Sequence, residues 1–80
     1  MKLTKQQLQF IINSDVEDMV SMLQEDYGIS IIEAFDVVYN SDLYAKLIDT
    51  RTGLYLQSAE YQYDYLKEEI AGKQSLHKEQ

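Results

Sequence analysis

Asp49 and Glu60 stand twelve positions apart, counted inclusively. A calcium-binding loop of the EF-hand type places its first acid and its bidentate glutamate at that spacing. The residues between them argue against a cation. Arg51 falls on the third ligand position and Gly53 on the fifth. Leu54 falls on the sixth, where the loop needs glycine for its sharp turn. The stretch reads more simply as a capped turn. Asp15, Glu17 and Asp18 form a second acidic group. On a helix Asp15 and Asp18 lie one turn apart on the same side. No further ligand has a defined place beside them, so a solvated helix face is the simpler reading. Paired acids for glycoside chemistry need a cleft and a raised pKa, and eighty residues of helix offer little cleft.

Nucleophilic catalysis fails on inventory. The chain has no cysteine, and its one histidine, His77, lies in a polar C-terminal stretch. A serine–histidine pair would require that stretch to fold back. No glycine-rich phosphate loop occurs. Neither an enzyme nor a bound cofactor or metal is expected. Without cysteine there is also no disulfide and no thiolate zinc site.

Tyrosine is the unusual component. There are seven, and no tryptophan. Tyr55, Tyr61, Tyr63 and Tyr65 crowd into eleven positions. On a helix Tyr61 and Tyr65 share a face while Tyr63 points elsewhere. A small core cannot bury all three. Tyrosine carries apolar area with a hydrogen-bonding tip and is enriched at protein interfaces. Tyr55, Tyr61 and Tyr65 are therefore candidate partner anchors. The alternative is that one face packs inside and the rest is scattered surface.

Charge points the same way. The formal net charge is -7. No Lys or Arg occurs between Lys5 and Lys46, an interval holding Asp15, Glu17, Asp18, Glu25, Asp26, Glu33, Asp36 and Asp42. Such a surface repels phosphate backbones and anionic lipid and attracts basic partners. Asp15, Glu17, Asp18, Glu25 and Asp26 are the candidate acidic face, with plain solubility as the alternative.

These residues must be positioned by helices. Thr4 and Gln7 form a capping box, in which the hydroxyl and the amide each satisfy the other's backbone N–H. Leu8, Ile12, Val16, Met19, Val20, Leu23 and Tyr27 then recur at helical spacing. Gly28 sits where a left-handed residue ends a helix. The first helix is thus expected over 5–27. Ser30 and Glu33 form a second capping box, opening a helix over 31–39 with Ile31, Ala34, Phe35 and Val38 inward. Ser41 opens a short third helix, about 42–49, burying Leu43, Leu47 and with them Tyr44 and Ile48. A mere kink at Asn40-Ser41 is the alternative. Residues 50–57 hold turn formers and read as an extended connector over the core, or else as a small hairpin within 47–56. Ser58 caps a last helix over 59–71, with Tyr63, Leu66 and Ile70 on one side and Gly72 ending it.

The expected fold is therefore all-α, a compact bundle of three or four helices with a short extended connector. It occupies 1–72 as one domain, and the polar tail 73–80 is expected to be disordered. A domain this small buries only about 60% of its unfolded surface, so a partner or self-association would help it. With no apolar run long enough for a span and a polar N-terminus, the expected location is the cytoplasm.

The helices over 31–39 and 42–49 have a helix-turn-helix outline. The second would offer Asp42, Tyr44, Lys46 and Asp49 to DNA, two of them acids. DNA affinity comes largely from Lys and Arg on phosphates, so the chemistry of this stretch argues against nucleic acid as a partner.

The run Asp49-Thr50-Arg51-Thr52-Gly53-Leu54-Tyr55-Leu56-Gln57-Ser58, with Ile29-Ser30-Ile31-Ile32-Glu33-Ala34-Phe35 and Tyr39-Asn40-Ser41, carries a resemblance. It resembles a family of small uncharacterised bacterial proteins (a domain of unknown function) typical of anaerobic gut bacteria, over about 4–70. The resemblance implies genes beside toxin-like proteins, hence an antitoxin-like or adaptor role, and transfers no functional residue. The leading expectation is a protein–protein interaction module. A DNA-binding regulator and a purely structural homo-oligomer are the alternatives.

Overall fold

The structure, a computed structural model, describes the backbone of residues 3–78 and the side chains of residues 3–73. It is an all-α bundle of four helices: α1 (Lys5–Tyr27), α2 (Ile31–Tyr39), α3 (Asp42–Leu47) and α4 (Ala59–Lys78).

Local chemistry sets the helix starts. Gln7 N–H donates to Thr4 Oγ1 at 3.1 Å, and Gln7 Oε1 accepts from Thr4 N–H at 2.9 Å. Ser30 and Glu33 repeat the exchange at the start of α2. Gly28 ends α1 at φ 64°, a left-handed conformation that glycine adopts without penalty. The break at Asn40-Ser41 separates two helices. Ser41 is extended there, and its buried hydroxyl donates to Val38 O at 2.6 Å while accepting from Tyr44 N–H.

The core lies between α1, α2, α3 and the first half of α4. Ile12, Val16, Met19, Val20 and Leu23 come from α1, Ala34 and Val38 from α2, Leu43 and Leu47 from α3, and Tyr63 and Leu66 from α4. The expected stripes hold at their centres and fail at their ends. Tyr27, Ile31 and Ile48 are about half exposed, because each is the first or last residue of its helix or just beyond it, where the chain turns off the core.

Three boundaries differ from expectation. α3 stops at Leu47 because Asp49 turns its carboxylate onto the N–H and guanidinium of Arg51. The connector at 50–57 is neither extended nor a hairpin. It forms two consecutive 3-10 turns, Thr50–Thr52 and Leu54–Leu56, joined at Gly53 with φ 69°. The Thr52 hydroxyl donates to Lys46 O at 2.7 Å and to Asp49 O, pinning the first turn to the end of α3. Leu54 is thereby driven into the core. Finally, α4 does not end at Gly72 but runs on to Lys78. Gly72 lacks the positive φ that Gly28 and Gly53 adopt. A mid-helix glycine costs only about 1 kcal/mol relative to alanine, too little by itself to end a helix. Of the tail expected to be disordered, 73–78 is helical, and 79–80 lie outside the described residues.

The longest dimension is 48 Å. α1 buries no residue before Ile12, and α4 none after Leu66 among the described side chains. Leu8 of α1 and Ile70 of α4 still pack partly against the core, and the described parts of both helices beyond them project past the packed centre.

Candidate interaction groove

Helix α4 presents two faces. Ser58 Oγ accepts from Tyr61 N–H at 3.1 Å and sets the start of the helix. From there Ala59, Gln62, Tyr63 and Leu66 turn inward and are buried. Tyr61 and Tyr65, one turn apart, turn outward at 45% and 48% exposure. Their rings meet edge to face, 5.3 Å between centroids, with hydroxyls 3.4 Å apart. That shared hydrogen bond holds the Tyr61 hydroxyl above the ordinary tyrosine pKa.

The pair lines one side of a groove of about 500 Å³ between α3, the two 3-10 turns and α4. Leu43 and Leu54 supply its apolar lining, Asp42 and Lys46 come from α3, and Glu68 and Glu69 from α4. Its size falls in the range of ligand and peptide-side-chain pockets. Glu69 builds the groove. Its two carboxylate oxygens accept from Asp42 N–H at 2.9 Å and Leu43 N–H at 3.0 Å, capping α3 from a distant helix. Lys73 sits 3.2 Å from the same carboxylate. Partial burial pushes the Glu69 pKa up, but the two N–H groups and Lys73 outweigh it, and the carboxyl titrates below its ordinary range. Glu60, Asp64 and Glu68 are exposed along α4 beside the tyrosines. Glu60, Asp64 and Glu68 recur every four residues, so they form a stripe.

The acids expected as one face divide into two sets. Glu17, Asp18 and Glu25 are exposed on α1. Asp15 and Asp26 face α4 and are engaged there. Gln62 Nε2 donates to Asp15 Oδ2 at 3.0 Å, and the Tyr63 hydroxyl donates to Asp26 Oδ2 at 2.7 Å. Burial raises the Asp15 pKa, the Gln62 hydrogen bond opposes this, and the charge of Asp18 adds to it. Burial likewise pushes the Tyr63 hydroxyl well above its ordinary value, with the Asp26 bond and charge reinforcing it. Tyr55 is half-buried against the core. Of the eight candidate partner residues, Tyr61 and Tyr65 alone line the groove.

Gln62 escaped the sequence reading. It is fully buried, and its amide also donates to Leu54 O at 3.0 Å and Gln57 O at 3.2 Å. One side chain thus ties α1, the second 3-10 turn and the start of α4 together. Its Oε1 is buried without a partner. The available signal was position: Gln62 lies three residues after Ala59 and four before Leu66, inside the apolar stripe. Glu69 and Lys46 carried no comparable signal.

Asp49, first residue of the rejected calcium-loop pattern, is committed to Arg51 through contacts of 2.9 and 2.8 Å. The Arg51 hydrogen bonds lower its pKa to about 2. Among the described residues no group of three or more His, Asp or Glu side chains is placed to hold a metal ion, and no helix is long and apolar enough to cross a membrane. No protein-family model matches the chain, and neither a curated protein nor a solved structure matches it.

Proposed function

We propose that the chain is a cytoplasmic protein–protein interaction module that seats a basic segment of a partner in the Tyr61–Tyr65 groove. The observation that carries this reading is the exposed tyrosine pair, set at the mouth of a groove and flanked by Glu60, Asp64 and Glu68. Two half-exposed aromatic rings give a partner apolar area at low entropic cost, because each has only two side-chain torsions. A cation over such rings is attracted by their quadrupoles, and the neighbouring carboxylates add Coulombic attraction. The exposed acids Glu17, Asp18 and Glu25 on α1 contribute a long-range field that speeds encounter with a basic partner. The family resemblance gives the role a shape: neutralising or tethering a protein encoded alongside, as an antitoxin or adaptor does.

Several features favour binding over catalysis. The groove's carboxylates and tyrosines suit a basic segment, and the Thr52 hydroxyl in its wall is engaged by Lys46 O and Asp49 O. The DNA-binding reading draws little support. A reading helix contacts bases near its N-terminus, and the N-terminus of α3 is closed by the Glu69 carboxylate.

Charge reversal tests the proposal. Glu68→Lys should weaken partner capture and flatten its dependence on ionic strength more than Glu17→Lys does. Equal and small effects from both would remove the groove from the account.

A further inference from the structure

We infer that Asp15 of α1, which lies outside the groove, regulates the groove wall at Gln57 by competing with it for the amide N–H groups of Gln62. This adds regulation to the groove reading above and rests on that reading for its consequence alone, because the wall is observed with no partner present. Three oxygens converge on Gln62 Nε2: Asp15 Oδ2 at 3.0 Å, Leu54 O at 3.0 Å and Gln57 O at 3.2 Å. A side-chain amide has two hydrogens to give, so one oxygen is short of a full hydrogen bond. Turning the amide over brings no relief, because Oε1, buried without a partner, would then face the three oxygens. Full burial of Gln62 keeps bulk water from supplying a third donor.

The three acceptors are unequal. An ionised carboxylate accepts about twice as strongly as a neutral carbonyl, so Asp15 takes one hydrogen. Leu54 O also accepts from Gln57 N–H at 3.0 Å. Gln57 O has the longest contact of the three and accepts from no backbone N–H among the described residues. Leu54 and Gln57 both line the groove, and Gln57 leads into Ser58, the cap of α4. Protonation weakens Asp15 as an acceptor, and both N–H groups then turn to the wall carbonyls. Asp15 is half-buried and within reach of solvent protons. Burial raises its pKa, so the change comes above the ordinary aspartate value of about 3.9. Asp18, one turn on, is the charge that acts on it. On the elements packed against α1, Glu33 and Asp36 of α2 are bonded to Ser30 and Asn40. Glu60 and Asp64 of α4 are exposed, and the second 3-10 turn carries no charge.

Carbonyl-carbon NMR over a pH titration tests this, with Asp15→Leu and Asp18→Asn beside the wild type. Helical circular dichroism would mark the pH range in which each protein stays folded. A carbonyl carbon moves downfield as its hydrogen bond strengthens. In the wild type the Gln57 carbonyl should move downfield as pH falls, with the same midpoint as the Asp15 carboxyl carbon. In Asp18→Asn both midpoints should fall together, since the Asp18 charge raises the Asp15 pKa. In Asp15→Leu the Gln57 carbonyl should stay near the acid position of the wild type throughout. A Gln57 signal that holds still or moves upfield while Asp15 titrates overturns the inference. So does one that titrates unchanged in Asp15→Leu. Neither result touches the groove reading itself, which stands or falls on partner capture by Tyr61 and Tyr65.

Discussion

The Gln62 side-chain amide, buried on α4, donates to the Asp15 carboxylate of α1 at 3.0 Å. It joins residues 47 positions apart and fixes the second 3-10 turn through Leu54 O and Gln57 O. Removing the donor leaves several acceptors short of partners, and each orphaned buried group costs about 1–3 kcal/mol. Gln62→Leu should therefore lower the unfolding free energy by about 2 kcal/mol or more. Combining it with Asp15→Leu should cost less than the sum of the single changes, because the pair is then removed together. Urea denaturation of the four proteins checks both statements, and strict additivity would show that the contact carries no coupling.

That contact also marks where the sequence stops being legible. Helix starts were readable because their chemistry is local: Thr4 with Gln7, Ser30 with Glu33, and Ser41 and Ser58 each within three residues of their partners. Gly28 was readable for the same reason. Residues 50–57 are not, because two short 3-10 turns leave no periodicity and are held by contacts out of the segment, from Thr52 back to Lys46 O and from Gln62 of α4 onto Leu54 O. Gln62 and Glu69 read as surface by residue type, and their partners lie on other helices. The shared face of Tyr61 and Tyr65 followed from spacing. The groove beside them did not, since its other side depends on where α3 is anchored. In the sequence Asp15 and Asp26 share only their charge with Glu17, Asp18 and Glu25, and the position of α4 separates them.

The Glu69 cap gives a pH-dependent signature. Its folded pKa is depressed, so its stabilisation is present above the unfolded value of about 4.3. It is lost as pH falls through the lower folded value. Glu69→Gln should cost about 1 kcal/mol at neutral pH, in line with loss of a charged helix cap. The difference from wild type should vanish in acid. Asp15 has the opposite sign: its pKa is raised, so its contribution is fully present below the unfolded value and declines as pH rises through the folded one. Asp15→Asn should flatten that decline. Thermal unfolding of both variants between pH 3 and 7 would show the two trends, and parallel pH profiles would contradict them.

Glycine substitutions should separate two kinds of glycine. Gly53 holds φ 69° between the 3-10 turns, and a side chain in that region costs about 1–2 kcal/mol. Gly72 lies inside α4 without a positive φ, and an added Cβ meets nothing within 4 Å. Gly53→Ala should therefore destabilise by about 1 kcal/mol. Gly72→Ala should stabilise α4 locally by up to about 1 kcal/mol, read as slower amide exchange in its last turns. Equal effects in the same direction would contradict the assignment of Gly53 to a left-handed turn.

The tyrosine pair should be dispensable for folding. Tyr61 and Tyr65 are outside the core, and surface changes of this kind stay within about 0.5 kcal/mol. Tyr63→Ala differs, because its ring is buried and its hydroxyl holds Asp26. It should cost about 3–5 kcal/mol, as large aromatic truncations do. Melting temperatures of the three single alanine variants would show one large shift and two small ones.

The most direct test of the interaction account is affinity capture from the native host with wild-type protein and the Tyr61→Ala/Tyr65→Ala double variant side by side. The account predicts a basic partner in stoichiometric amount with the wild type, lost with an equally stable double variant. The same partner retained by the double variant, or no partner with either, would contradict it.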